Sequence, residues 1–82
     1  MSFYVYIIKT ASSKISKTYV GYTNNLKKRL LDHNNNRGAK STRGHFWKLI
    51  FKKKFYSKSK AMSYEYKLKK DKLKRKYLIH KN

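Results

Sequence analysis

Five residues of this 82-residue chain combine side-chain types and spacings that are suited to chemistry. Tyr6 and Tyr19 each lie in a short apolar run, Arg29 precedes His33 by four residues, and Glu65 follows much later. Together they offer a proton acceptor, a cation for a phosphate, a proton relay and a metal ligand. Hydrolysis of a phosphodiester bond requires groups of these kinds.

Arg29 and His33 are expected to project from the same face of one helix, since residues four apart are neighbours there. The planar guanidinium of arginine suits phosphate oxygens, and histidine is the side chain best suited to moving protons near neutral pH. A solvated basic face is the alternative, and an isolated pair of this kind favours it.

The two tyrosines have a structural alternative as well, because tyrosine in a strand commonly packs in the core. A free phenol has a pKa of about 10 and is a poor base at neutral pH. We expect a site crowded with lysine, arginine and a metal ion to favour the phenolate of Tyr6.

Glu65 is the only glutamate of the chain and is expected to share a helix face with Ala61 and Leu68. A carboxylate on an apolar face is costly unless it is paired or binds a metal ion. One carboxylate is enough for a single Mg²⁺ that also takes water and substrate phosphate as ligands. The alternative is a salt bridge to one of the many lysines.

The elements that must position these residues follow the order strand, strand, helix, strand, helix. Strands are predicted at Phe3–Thr10, Thr18–Thr23 and Phe46–Tyr56. The first helix is expected to begin after a cap at Thr23, Asn24 or Asn25 and to end at about Asn34. The second helix is expected to begin after a cap at Ser57 or Ser59. Gly21 indicates a bulge or a close backbone approach. Residues 34–44 form a polar loop, and the basic stretch after residue 66 has only a weaker apolar set. This order predicts one α+β domain over residues 1–82, with a small three-stranded, mainly antiparallel sheet flanked by helices.

The charge balance is extreme, with 23 lysines and arginines against three acidic residues and a net charge of +20. Such a surface predicts a polyanionic partner, nucleic acid above all. A membrane-surface binder and a ribosomal-type structural protein are the alternatives. The chain has no cysteine, which excludes disulfides and thiolate zinc sites. Its N-terminal apolar run Phe3–Ile8 is too short for a signal or membrane-spanning segment, so we expect a cytoplasmic or nucleoid-associated protein.

Five segments in this order resemble the GIY-YIG nucleases, in particular short stand-alone members similar to the N-terminal nuclease domain of an excinuclease. The segments are Tyr4-Val5-Tyr6, Tyr19-Val20-Gly21, Tyr22–His33, Gly38–Arg43 and Ala61–Leu68. The resemblance spans essentially the whole chain. It departs from the family pattern in having Tyr4 where the family name has glycine, and in offering only the terminal Asn82 for the late asparagine of some members.

The resemblance implies a role for each of the five residues. Tyr6 would be the general base for the attacking water, and His33 would help remove its proton. Arg29 would bind the scissile phosphate, and Tyr19 would orient the phosphate or the water. Glu65 would hold one Mg²⁺ or Mn²⁺ ion, with no small-molecule cofactor.

These features together predict a metal-dependent DNA endonuclease that is selective for structure rather than sequence. The residues expected to contact nucleic acid are Lys27, Lys28, Lys40, Thr42 and Arg43. RNA remains open as a substrate, and so does a larger protein partner. The alternative is a non-catalytic, basic nucleic-acid-binding module on the same fold.

Overall fold

A computed structural model describes residues 2–12, 16–38 and 40–81 of the chain. The elements are β1 (Phe3–Thr10), β2 (Thr18–Thr23), α1 (Leu26–Asn34), a 3-10 turn (Lys40–Thr42), β3 (Trp47–Phe55), α2 (Lys58–Lys70) and α3 (Lys72–Lys81). The three strands form one sheet in the order β2-β1-β3, and both pairings are antiparallel. The predicted α+β fold with a small antiparallel sheet is confirmed.

The central strand β1 is buried on both faces of the sheet, and its side chains alternate between two cores. Val5 and Ile7 pack on one face with residues of α2 and α3, namely Ala61, Leu68 and Leu78. Tyr6 and Ile8 pack on the opposite face with Trp47, Tyr19, Leu26, Leu30 and Leu49. The alternation thereby directs Tyr6 towards α1.

Polar caps fix the starts of α1 and α2. The Asn25 side-chain oxygen accepts a hydrogen bond from the Lys28 amide at 3.1 Å, and the Ser57 hydroxyl accepts one from the Lys60 amide at 3.4 Å. Each cap is among the alternatives that the sequence predicted. Such a cap satisfies a backbone N–H that has no partner within the helix.

Helix α3 was not predicted from the sequence, which shows only a sparse apolar pattern there. Asp71 ends α2, and its carboxylate accepts a hydrogen bond from the Lys74 amide at 3.0 Å, as the cap of a new helix does. Leu78 then carries α3 into the core. Within the described ranges, no helix is long and apolar enough to cross a membrane.

The connection between α1 and β3 is tied down at three places. Asn34 exchanges two hydrogen bonds with the Trp47 backbone, at 2.6 and 3.2 Å. The Asn36 side chain accepts from the Gly44 amide at 2.7 Å, and the Trp47 indole N–H donates to the Thr42 carbonyl at 2.8 Å. The loop that carries Thr42 is therefore held in a defined position beside α1.

Candidate active site

Tyr6 and His33 meet in the core between the sheet and α1. The Tyr6 hydroxyl lies 2.8 Å from His33 Nε2, and the two side chains are 1% and 0% exposed. His33 reaches this position because it lies in the last turn of α1, on the face that packs against β1. The pair is a buried hydrogen bond between a phenol and an imidazole.

Arg29 and Tyr19 complete the cluster around this pair. The guanidinium of Arg29, one turn before His33, lies close enough to the Tyr6 and Tyr19 hydroxyls to interact with both, and these interactions raise the pKa of Arg29. The Tyr19 ring lies 5.1 Å from the His33 ring and 6.4 Å from the Tyr6 ring, between centroids. The structure therefore brings four of the five predicted chemical residues together.

Thr42 contacts the opposite side of the His33 ring. Its hydroxyl oxygen lies 2.9 Å from His33 Nδ1, and its side chain is fully buried. The prediction that Thr42 contacts nucleic acid is therefore wrong for its side chain, which faces the core. The sequence did not predict this contact, because Thr42 lies in a polar loop that has no hydrophobic period. The one indication was that Gly38–Arg43 resembles a family segment.

Two glycines allow the close packing around Tyr6 and His33. A Cβ atom on Gly21 would lie 2.6 Å from the Tyr6 hydroxyl, which confirms the predicted close approach of the backbone. A Cβ atom on Gly38 would lie 2.3 Å from His33 Nδ1. Neither position has room for a side chain unless the ring beside it moves.

Burial disfavours charge on both rings of the pair. It raises the pKa of Tyr6 to about 12, against the opposing hydrogen bond and charge of Arg29. In the protein without a metal ion, burial outweighs the nearby cation. The expected phenolate, which included a bound metal ion, stays a prediction. The pKa of His33 is lowered by burial and by the positive charge of Arg29, with Asp32 acting in the opposite direction.

Glu65 lies on α2, between the buried residues Ala61 and Leu68 in the chain. Its side chain is 17% exposed, and Oε1 lies 3.7 Å from Lys69 Nζ. Its negative charge contributes, as the smallest of several causes, to the raised pKa of Tyr6. The described residues contain no group of three or more histidines, cysteines or acidic residues that could hold a metal ion. A largely buried carboxylate that pairs with one half-exposed lysine has the donor chemistry that Mg²⁺ uses.

The other four predicted nucleic-acid contacts are on the surface. Lys27, Lys28, Lys40 and Arg43 are all exposed. Lys28 pairs with Asp32 at 3.4 Å, while Lys27 lines an open groove together with Tyr4. Lys40 and Arg43 flank the buried Thr42, so one short turn presents two cations outwards and a hydroxyl inwards.

Comparison with known proteins identifies the class of this fold and site. The sequence model of the GIY-YIG catalytic domain family matches residues 2–78. The chain therefore belongs to this family of nuclease domains. It is 45% identical over 67 residues to a UPF0213 protein of Oceanobacillus iheyensis, covering 80% of this chain and 74% of that one. It is 47% identical over 68 residues to a UPF0213 protein of Clostridium perfringens, covering 82% and 70%.

A solved structure shows the same fold. The solution NMR structure of a UPF0213 protein from Bacillus halodurans superposes with a TM-score of 0.57 at 34% identity, covering 98% of this chain and 84% of that one. The resemblance inferred from the five sequence segments is confirmed.

Proposed function

We propose that this protein is a metal-dependent endonuclease that hydrolyses phosphodiester bonds in DNA, with Tyr6 as the general base. The observation that carries the proposal is the buried hydrogen bond between Tyr6 and His33, with the positive charge of Arg29 acting on both groups. A phenol and an imidazole are thus paired beside a guanidinium. Membership of a nuclease family supports the same chemistry.

The high pKa of Tyr6 determines how the proton must travel. A phenol with a pKa of about 12 is protonated at neutral pH, so it has to give up its own proton to accept one from water. His33 Nε2, at 2.8 Å, is the acceptor within reach, and burial keeps that imidazole neutral and able to accept. Tyr6 thus relays the proton of the attacking water to His33.

The buried position of Tyr6 also determines how substrate enters. With Tyr6 only 1% exposed, a water molecule can reach the hydroxyl only after a neighbouring side chain moves, and Arg29, which interacts with that hydroxyl, is the side chain we propose to move. The scissile phosphate is the ligand expected to draw the guanidinium away, because arginine binds phosphate oxygens through a matching fork of donors. Tyr19, half-buried beside the pair, would then orient the phosphate or the water.

Glu65 is the residue that would hold one Mg²⁺ or Mn²⁺ ion. Such an ion, when bound, stabilises negative charge that develops on the leaving oxygen. Lys69 must release the Glu65 carboxylate before the carboxylate can serve as a ligand, and a half-exposed ion pair of this kind costs little to break.

DNA is the proposed substrate because the surface is strongly basic and the family acts as nucleases. Exposed cations on α1 and on the 3-10 turn, Lys27, Lys28, Lys40 and Arg43, would follow the phosphate backbone. These are phosphate contacts, which carry no sequence information, so we propose a preference for nicks, flaps, branches or single strands. A larger protein partner could add specificity.

The test is cleavage of a supercoiled plasmid, a labelled flap and a four-way junction with Mg²⁺, Mn²⁺ or EDTA. Wild type is compared with Tyr6→Phe and Glu65→Gln, and DNA binding is followed by gel shift. We expect metal-dependent cleavage that falls at least about 100-fold in both variants while binding persists, since proton transfer and charge stabilisation each contribute on this scale.

Two matched controls separate chemistry from structure. Tyr66→Phe removes a hydroxyl from an exposed tyrosine of α2 and is expected to cleave like wild type. Lys69→Met breaks the same ion pair as Glu65→Gln but keeps the carboxylate, so it is expected to retain activity. Tight binding without cleavage of any substrate would replace this proposal with the non-catalytic binding module.

A further inference from the structure

The His33 ring is held through both of its nitrogens. Nε2 faces the Tyr6 hydroxyl at 2.8 Å, and Nδ1 faces the Thr42 hydroxyl at 2.9 Å. Thr42 is itself fixed, because its carbonyl accepts the indole N–H of Trp47 at 2.8 Å. All four side chains are buried, so water does not compete for these hydrogen bonds.

The proposed relay sets the direction of the first hydrogen bond. For Tyr6 to pass its proton to His33, the phenolic O–H must donate to an unprotonated Nε2, which lies 2.8 Å away. Within the described cluster, His33 Nε2 is the acceptor positioned for that proton. No buried side-chain nitrogen or oxygen among the described residues lacks a partner, which is consistent with this ordering.

A neutral imidazole carries one N–H, so an accepting Nε2 requires the proton to be on Nδ1. Nδ1–H then donates to the Thr42 hydroxyl oxygen. If Thr42 instead donated to Nδ1, Nε2 would carry the proton and His33 would be unable to take one from Tyr6. The direction of the hydrogen bond to Thr42 is therefore coupled to whether Nε2 can accept the Tyr6 proton.

We propose that Thr42 is a positioning residue that holds His33 as the Nδ1–H tautomer and leaves the Nε2 lone pair directed at the Tyr6 hydroxyl. Its catalytic consequence rests on the proposed function, whereas the tautomer itself is a property of the protein alone. Thr42 acts through His33 and touches no substrate.

The experiment is a long-range ¹H–¹⁵N correlation spectrum of the His33 ring in wild type, Thr42→Ser and Thr42→Val. We expect wild type and Thr42→Ser to show a protonated Nδ1 and an unprotonated Nε2. Thr42→Val has the same shape but no acceptor, so we expect a mixed or reversed tautomer. A protonated Nε2 in wild type, or an unchanged ring in a folded Thr42→Val, would overturn the proposal.

Cleavage kinetics supply the second readout. Thr42→Val is expected to lower kcat at least about tenfold while KM stays unchanged, and to alter the acidic limb of the pH profile. Thr42→Ser is expected to restore both. A rise in KM alone would assign Thr42 to substrate binding and would overturn the positioning role. If wild type cleaves none of the substrates, the proposed function fails, but the spectra still decide which tautomer His33 adopts. If Thr42→Val does not fold, the spectra of wild type and Thr42→Ser decide the tautomer.

Discussion

At the scale of single residues, burial determines the protonation state of the candidate site. Tyr6 and His33 both resist charge, one as a phenolate and the other as an imidazolium. Arg29 moves the two pKa values in the same direction, downwards, because its positive charge favours the phenolate and disfavours the imidazolium. Burial favours the neutral form of both groups, as the proposed proton transfer requires.

The lowered pKa of His33 predicts a loss of stability in mild acid. The unfolded chain binds a proton at His33 near pH 6.5, whereas the folded protein resists it. More protons are then bound in the unfolded state, so the free energy of unfolding falls as the pH drops below about 6.5. Urea midpoints at pH 7.5, 6.5 and 5.5, at constant ionic strength, measure this effect in wild type and in His33→Gln.

The two proteins are compared by the slope of their unfolding free energy against pH, not by their stability at one pH. His33→Gln is expected to be less stable at every pH, but its stability should depend less on pH over this range. Equal slopes in the two proteins would show that His33 is not the group responsible.

Gly38→Ala is expected to destabilise the protein by about 1–3 kcal/mol, as overpacking of a closely packed core does. Its Cβ would lie 2.3 Å from His33 Nδ1, so the ring must leave its place between Tyr6 and Thr42. The measurement is urea denaturation together with the His33 ring signals in the NMR spectrum.

Gly44→Asn is the matched control for this substitution. Nothing lies within 4 Å of a Cβ on Gly44, and its φ of +83° is one that asparagine tolerates better than alanine. We expect the His33 signals of Gly44→Asn to match those of wild type. A Gly38→Ala protein with wild-type stability and wild-type His33 signals would contradict the packing argument.

At the scale of elements, Asp71 joins two helices. Its amide N–H donates to the Lys67 carbonyl at the end of α2, and its carboxylate caps α3. Asp71→Ala is therefore expected to lower the free energy of unfolding by about 1 kcal/mol, the usual cost of losing a helix cap. Urea denaturation at neutral pH measures it.

Asp32→Ala is the comparison, because it also removes one acidic residue but no helix cap. Its carboxylate pairs with the exposed Lys28 at 3.4 Å, and such pairs contribute about 0–1 kcal/mol. The helix-cap role of Asp71 would be refuted if the two substitutions destabilised the protein equally.

Elements with strong local signals were predictable from the sequence. β1 and β2 begin and end where the aromatic and β-branched runs do, and the caps at Asn25 and Ser57 precede the predicted helices. Helix α3 was missed because, among its described side chains, only Leu78 is buried in the core, with Ile79 packed partly against it, and two apolar residues give too weak a helical pattern.

The candidate site was predictable as a set of residues but not as a network. Helical spacing indicated that Arg29 and His33 project together, and the family resemblance added Tyr6. The contact of Thr42 with His33 depends on the path of an irregular loop, which no sequence period specifies. Composition revealed the cations around Tyr6 but not how deeply its hydroxyl is buried, which raises its pKa.

At the scale of the whole molecule, like charges oppose the folded state. The 82 residues include 23 lysines and arginines but only three acidic residues, so the net charge is +20. Folding brings these charges together in a structure whose radius of gyration is 12.2 Å. Neither α1 nor α2 has an acidic residue in its first turn, so the dipoles of these two helices are not compensated there, whereas the Asp71 carboxylate caps α3.

Added salt is expected to stabilise the protein. Raising KCl from about 0.01 M to about 0.15 M shortens the Debye length from about 30 Å to about 8 Å and screens the repulsion. The midpoint of thermal unfolding should rise over this range, whereas DNA binding should weaken steeply. Differential scanning calorimetry and gel shifts measure the two trends.

Sulfate at the same ionic strength is the control for screening. A rise equal to that in chloride indicates screening, whereas a larger rise indicates preferential stabilisation by sulfate. An unfolding midpoint that does not change with ionic strength would show that charge repulsion does not limit stability.

The sheet order β2-β1-β3 has a consequence for biosynthesis. During synthesis β1 is made before β3, and the whole of α1 is made between them. Until β3 is made, the backbone N–H and C=O groups on one edge of β1 have no strand to pair with. Trp47, the first residue of β3, also holds Thr42 against His33. A nascent chain therefore cannot assemble the proposed proton relay until β3 has joined the sheet, so the fold must be complete before the proposed site exists.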